Sequence, residues 1–146
     1  MSDFRQLSET VWASPQIDES EVANIARLGF SVIINNRPDG EVDDQPVGEA
    51  IAQAASEAGM DYCAIPITHA GFDETQIDAM CRELENASGP ILAYCRSGTR
   101  STFLWALARC KMGDDPRDVA GRARAAGYDV SSILPVMESL HRVSSN

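Results

Sequence analysis

Long apolar runs are missing from this chain: none approaches the roughly 18 residues that a membrane-crossing helix requires. The first residues, Met1-Ser2-Asp3-Phe4-Arg5, lack the basic-then-apolar order of a secretion signal, so the expected location is cytoplasmic. Positive charge is scarce. Twelve Lys and Arg stand against 22 Asp and Glu, a net charge of −10, which disfavours binding to nucleic acid or to an anionic membrane. The two histidines, His69 and His141, lie far apart and are not interleaved with cysteines, so no metal site is expected. The four cysteines, 63, 81, 95 and 110, form no C-x-x-C pair, and without an export signal no disulfide is expected. Repeats and low-complexity tracts are lacking too.

What remains is 146 residues, 44% of them hydrophobic, enough for one domain over 1–146 with a short polar tail at 144–146. Val11-Trp12-Ala13 reads as an edge strand. Asp18, with Glu21 three residues on, reads as the capping box of a helix that stops at Gly29. Phe30 to Ile34 reads as a buried strand, and a turn-rich loop, Asn35 to Glu41, follows it. A helix over Val47 to Ala58, a strand from Tyr62 to Ile67 and a helix from Asp73 to Glu85 come next. Ile91 to Tyr94 reads as a strand ending at Cys95, and Ser101 to Met112 is apolar nearly all round, as in a central helix. Asp115-Pro116 opens a further helix ending near Gly127, and Ile133 to Val143 is a last amphipathic segment with Pro135 in its first turn. Strands alternating with helices imply right-handed crossovers. The expected fold is a single α/β domain whose central, mainly parallel sheet of about four strands is flanked by helices.

The informative stretch is Ile91-Leu92-Ala93-Tyr94-Cys95-Arg96-Ser97-Gly98-Thr99-Arg100-Ser101. A buried strand carries Cys95 to the carboxyl edge of the sheet, where open α/β folds bind their ligands. The loop Arg96-Ser97-Gly98-Thr99 then enters a helix. Its successive N–H groups form an anion nest, and the positive end of the helix dipole points at the same place. Arg96 and Arg100 add formal charge, and the Ser101 hydroxyl is placed to donate to the sulfur. Each term favours thiolate over thiol. The competing reading is a structural cysteine at a strand end. Catalysis also requires that the sulfur be reachable from water.

Two resemblances meet here. The pattern Cys-x-x-Gly-x-Arg resembles the active-site loop of rhodaneses, which carry sulfane sulfur on cysteine as a persulfide. The surrounding chain resembles the phosphatase-like domain of β-lactamase hydrolase-like proteins, whose fold is that of dual-specificity phosphatases. The matching segments are Ile34 to Glu41, Tyr62 to Ile67, and Gly89-Pro90 through Arg100. Protein tyrosine phosphatases are known for His-Cys, five residues, then Arg; here Tyr94 precedes the cysteine and four residues separate Cys95 from Arg100. Five residues on stands Ser101, which cannot clamp phosphate as a guanidinium does. By resemblance, the smaller loop suits a single sulfur atom.

The expected activity is therefore sulfur transfer through a Cys95 persulfide, with Arg100 as the charge that holds it and no cofactor. Its expected partners are a small anionic sulfur donor and a thiol acceptor; the family resemblance implies a separate persulfide dioxygenase as a further candidate. The alternative is a phosphatase-like hydrolase with a phosphocysteine on Cys95 and Asp73 as general acid. A non-catalytic anion-binding domain is the third reading. Asp73 equally matches a helix cap with Gln76 as partner. Arg37 is either a substrate-binding charge or a surface arginine paired with Asp39 or Glu41. His69 is either a substrate contact or a solvated loop residue. Cys63, Cys81 and Cys110 read as small core hydrophobes, the competing role being a resolving partner for Cys95. Glu41, Asp43 and Asp44 read as a hydrated loop.

Overall fold

A computed structural model describes residues 3–144; the last two residues of the polar tail lie outside them. Five strands, β1 (Arg5–Gln6), β2 (Val11–Ser14), β3 (Val32–Asn35), β4 (Asp61–Ala64) and β5 (Ile91–Tyr94), form one sheet in the order β1-β2-β5-β3-β4. Among the strands of the described residues only the β1–β2 pair is antiparallel. Val11–Ser14 is therefore not an edge strand. Two residues with no alternating pattern, Arg5 and Gln6, take the edge, and nothing in so short a segment announces it. The strand expected to run from Tyr62 to Ile67 ends at Ala64, although its backbone continues to bond the loop after β3: the Ile65 amide donates to Asn35 O and the Ile67 amide to Asn36 O, both at 2.9 Å. Pro66 between them has no amide to donate.

Six helices complete the domain among the described residues: α1 (Glu19–Arg27), α2 (Gly48–Glu57), α3 (Glu74–Asn86), α4 (Thr99–Lys111), α5 (Pro116–Ala125) and α6 (Leu134–Ser144), the last preceded by a turn of 3₁₀ helix at Ser131–Ile133. Capping boxes start α1 at Asp18 with Glu21, and α3 at Asp73 with Gln76. The period-two geometry of the strands divides the core. Ile33, Leu92 and Tyr94 face α1 and α2, against Val22, Ile25, Ile51 and Ala55. Val32, Ile34, Ile91 and Ala93 face the other layer, where Leu104, Trp105 and Leu107 of α4 are packed. α4 is buried on nearly every side, including Ser101, Thr102 and Cys110. Two layers of helix thus hold β3 and β5 rigidly side by side, and both deliver their carboxyl ends to one place. No helix among the described residues is long and apolar enough to cross a membrane.

Candidate active site

The parallel ladder extends one step past the strand ends. The Cys95 amide donates to Ser14 O at 3.3 Å and the Asn36 amide to Tyr94 O at 2.8 Å. Cys95 and the Asn36-Arg37 corner therefore leave the sheet together. After Cys95 the chain turns through Gly98, whose φ of +92° is open to glycine at no steric cost. The turn brings the Gly98 amide back onto the Cys95 Sγ at 3.1 Å. Gly98 is also the N-cap of α4 and supplies no capping side chain, so the positive end of that helix faces the sulfur side of the loop. Both the amide and the hydroxyl of Thr102 close on Gly98 O, at 3.0 and 2.8 Å, pinning the loop to the helix.

Around this sulfur the candidate residues divide. Arg100 reaches the site: its guanidinium donates to Ile67 O at 2.9 Å and grips both Glu41 oxygens at 2.8 and 2.9 Å. The Glu41 contact, first, and then the proximity of Cys95 hold its pKa above the ordinary value, against the opposing effect of burial. Arg37, 5% exposed, is not a surface residue. It donates through Nε to Glu41 at 2.9 Å and through a terminal nitrogen to Gln16 Oε1 at 3.1 Å. Its pairing with Glu41 is the one the competing reading named, but in a buried setting. Arg96, Ser97 and Thr99 are exposed on the rim, with the two hydroxyls 3.0 Å apart.

Three further expectations meet the structure, the first of which it overturns. The Ser101 hydroxyl is fully buried and has no hydrogen-bond partner, so the expected bond to sulfur is not formed; the residue's place on the first turn of α4 points it into the core. Asp73 is exposed, with Oδ1 accepting from the Gln76 amide at 2.9 Å while Gln76 returns a bond to the Asp73 amide at 2.8 Å. It serves its helix. The third concerns access: Cys95 has no exposed surface.

Glu41, taken from the sequence as part of a hydrated loop, is the residue that reading missed. Glu41, Asp43 and Asp44 are all exposed, as a hydrated loop requires, but the Glu41 carboxylate also bridges Arg100 and Arg37. The Arg100 guanidinium, and secondarily Arg37, pull its pKa down to about 2 against the opposing effect of burial. The site thus holds a carboxylate of its own between the two arginines. Glu41 and Arg100 are 59 positions apart, and no local pattern announces such a pair. His69 is exposed in the loop that follows Ile67. Cys63 and Cys81 are half-buried against the core and Cys110 is fully buried; all four cysteines are free. Burial raises the pKa of each of these three, that of Cys110 to about 12. Among the described residues no group of three His, Cys, Asp or Glu is placed to hold a metal. A wide cleft of about 680 Å³, lined by Thr10, Trp105 and Arg109, lies at the opposite end of α4 and does not include Cys95.

A family model described as beta-lactamase hydrolase-like protein, phosphatase-like domain, matches residues 3–112. A beta-lactamase hydrolase-like protein of Xylella fastidiosa is 35% identical over 133 residues, which is 90% of this chain and 31% of that protein. The chain thus spans about three-tenths of the length of the curated relatives it matches. Among solved structures, a candidate phosphatase from Neisseria meningitidis is similar with a TM-score of 0.82 and 31% identity, over 94% of this chain and 98% of that one. TpbA of P. aeruginosa, in complex with pTyr, shares the fold at a TM-score of 0.67 and 18% identity, over 99% and 91% of the two chains.

Proposed function

Because the chain belongs to the family of the beta-lactamase hydrolase-like protein, phosphatase-like domain, we propose that it is a covalent group-transfer enzyme whose nucleophile is Cys95 and whose transferred group is sulfane sulfur. The carrying observation is a contrast. The Cys95 sulfur is held by the Gly98 amide beside Arg100, whereas Asp73, the candidate acid, is engaged by its own helix. A phosphoester leaves as an alkoxide or phenoxide and benefits from a proton donor. Glu41 does not supply one, since a carboxyl with a pKa of about 2 is ionised at neutral pH. Sulfite leaving from thiosulfate needs no proton.

In the first step the Cys95 thiolate attacks the outer sulfur of thiosulfate. The new bond joins Sγ to that sulfur, the S–S bond of the donor breaks, and its electron pair departs with sulfite. In the second step cyanide or a thiolate takes the terminal sulfur and the electron pair of the Sγ–S bond returns to Cys95. The loop amides and Arg100 stabilise the anionic persulfide in between. Cys95 has no exposed surface, so this reading requires the loop to open before a donor reaches the sulfur; a sulfonate then offers Arg100 the same pair of oxygens that Glu41 gives it.

Phosphoester hydrolysis is a second reading, and the comparisons lean towards it. The family is described as phosphatase-like and one neighbour of the same fold is complexed with pTyr. In that reaction Cys95 takes the phosphoryl group and Arg100 binds its oxygens. The two chemistries separate in one experiment. After incubation with thiosulfate, intact-mass measurement is expected to show one added sulfur, absent in Cys95→Ser and released by cyanide as thiocyanate. Failure to load, together with p-nitrophenyl phosphate turnover that depends on Cys95, would replace sulfur transfer by hydrolysis. Loading that persists in Cys95→Ser would remove Cys95 from both.

A further inference from the structure

One peptide unit of the loop faces two ways. Its N–H, on Gly98, donates to the Cys95 sulfur at 3.1 Å, and its C=O, on Ser97, accepts from the Tyr128 hydroxyl at 3.2 Å. In a trans peptide these groups point in opposite directions, so a donor on the oxygen fixes the plane and thereby the aim of the N–H. Donation to the carbonyl also polarises the N–H towards the sulfur. We propose that Tyr128 is a positioning residue for the Cys95 thiolate, acting through the Ser97–Gly98 peptide. The proposal rests on the reading of Cys95 as nucleophile and adds to it a residue outside the segment 3–112 that matches the family model.

Several independent features place Tyr128 there. α5 ends in a Schellman arrangement: the Gly127 amide donates to Arg124 O and the Tyr128 amide to Ala123 O, both at 2.9 Å, with Gly127 at a φ of +98°. That turn sends Tyr128 out of the helix and onto the loop, where it is 8% exposed. The Arg5 guanidinium lies 5.5 Å from the ring centroid, and the same side chain donates to Ala126 O at 3.2 Å, tying β1 to the end of α5. A Cβ at position 98 would collide with the Tyr128 hydroxyl, so the close fit itself requires glycine. Burial raises the Tyr128 pKa, which keeps the phenol a neutral donor.

Tyr128→Phe keeps the ring, its packing and the stacked Arg5, and removes only the donor. The test is the rate of Cys95 alkylation by iodoacetamide as a function of pH, mapped by mass spectrometry, with Cys95→Ser as the site control. The expected result is a profile displaced to higher pH, with a loss of about three- to tenfold near neutrality, equivalent to about half to one pH unit, and an unchanged alkaline plateau. An unmoved profile in Tyr128→Phe overturns the proposal. So does an equal loss at every pH, which would mark a change of access. If the unsubstituted protein shows no alkylation of Cys95 at neutral pH, the rate of sulfur loading from thiosulfate is read in its place, and a parent that does not load either refutes the nucleophile, and the role of Tyr128 with it.

Discussion

The two ends of α4 hold the two fully buried cysteines, Cys95 just before its first turn and Cys110 in its last. Burial does not distinguish them. At the first end a peptide N–H is aimed at the sulfur and an arginine stands beside it. At the other, burial raises the thiol pKa to about 12, and the Asp114 and Asp115 carboxylates push in the same direction. The helix dipole adds its positive end to one and its negative end to the other. The two sulfurs thus differ in the orientation of nearby peptide groups and in the charges beside them, not in exposure.

The sharpest way to break that comparison is to exchange the sulfurs for inert groups. Cys95→Ser is expected to lower thiosulfate:cyanide sulfur transfer to the uncatalysed rate. Cys110→Ala is expected to retain the activity and lose only about 1 kcal/mol of stability, read by thermal melting. Equal loss of activity in both variants would erase the distinction between the two ends of the helix. Arg100→Lys comes next. It keeps the charge but gives up the paired donors, and a fall of about tenfold or more in kcat/KM for an anionic donor is expected. A variant as active as the parent would mean that only a point charge is needed.

Smaller effects follow from Glu41. Removing its charge in Glu41→Gln leaves Arg100 unclaimed, and steady-state kinetics are expected to show a fall in KM for thiosulfate of about three- to tenfold, since more of the protein is open to the donor. A raised KM would instead make Glu41 a support for Arg100. The same carboxylate sets an acid limit. Its folded-state pKa of about 2 lies below its ordinary value of 4.5, so its ion pairs contribute stability above pH 4.5 and lose it as the pH falls towards 2. In melts taken across that interval, Glu41→Gln is expected to lose less stability than the parent. Least affected is Asp73→Asn. Asparagine still caps α3 and sulfur transfer is expected to stay within about twofold, whereas a marked slowing of p-nitrophenyl phosphate turnover would favour the hydrolase reading.

Much of the scaffold was legible because its signals are local. The Asp18–Glu21 box, the strand-cysteine-glycine-helix run and the all-round apolar α4 depend on neighbours a few positions apart. The same locality explains the errors. Arg5–Gln6 is a strand only because β2 offers it an edge, and Val11–Ser14 lost its edge position to it. The helix-start position of Ser101 offers a donor to the sulfur, but its hydroxyl is buried without a partner. Glu41 was grouped with Asp43 and Asp44 by composition, and only the approach of Arg100 separates it from them.

By itself, the sequence determined that this is an alternating α/β chain with Cys95 at the carboxyl end of a buried strand, followed by a glycine-centred turn into a helix. Those features follow from backbone sterics and from periodic burial, which act over a few residues. The tertiary structure alone decided what surrounds the sulfur: the carboxylate that occupies Arg100, the phenol behind the Ser97–Gly98 peptide, and the complete burial of Cys95. Glu41 and Tyr128 arrive from positions 59 and 31 residues away from their partners. Contacts of that range are fixed by strand order and helix packing, which bring distant residues to one sheet edge.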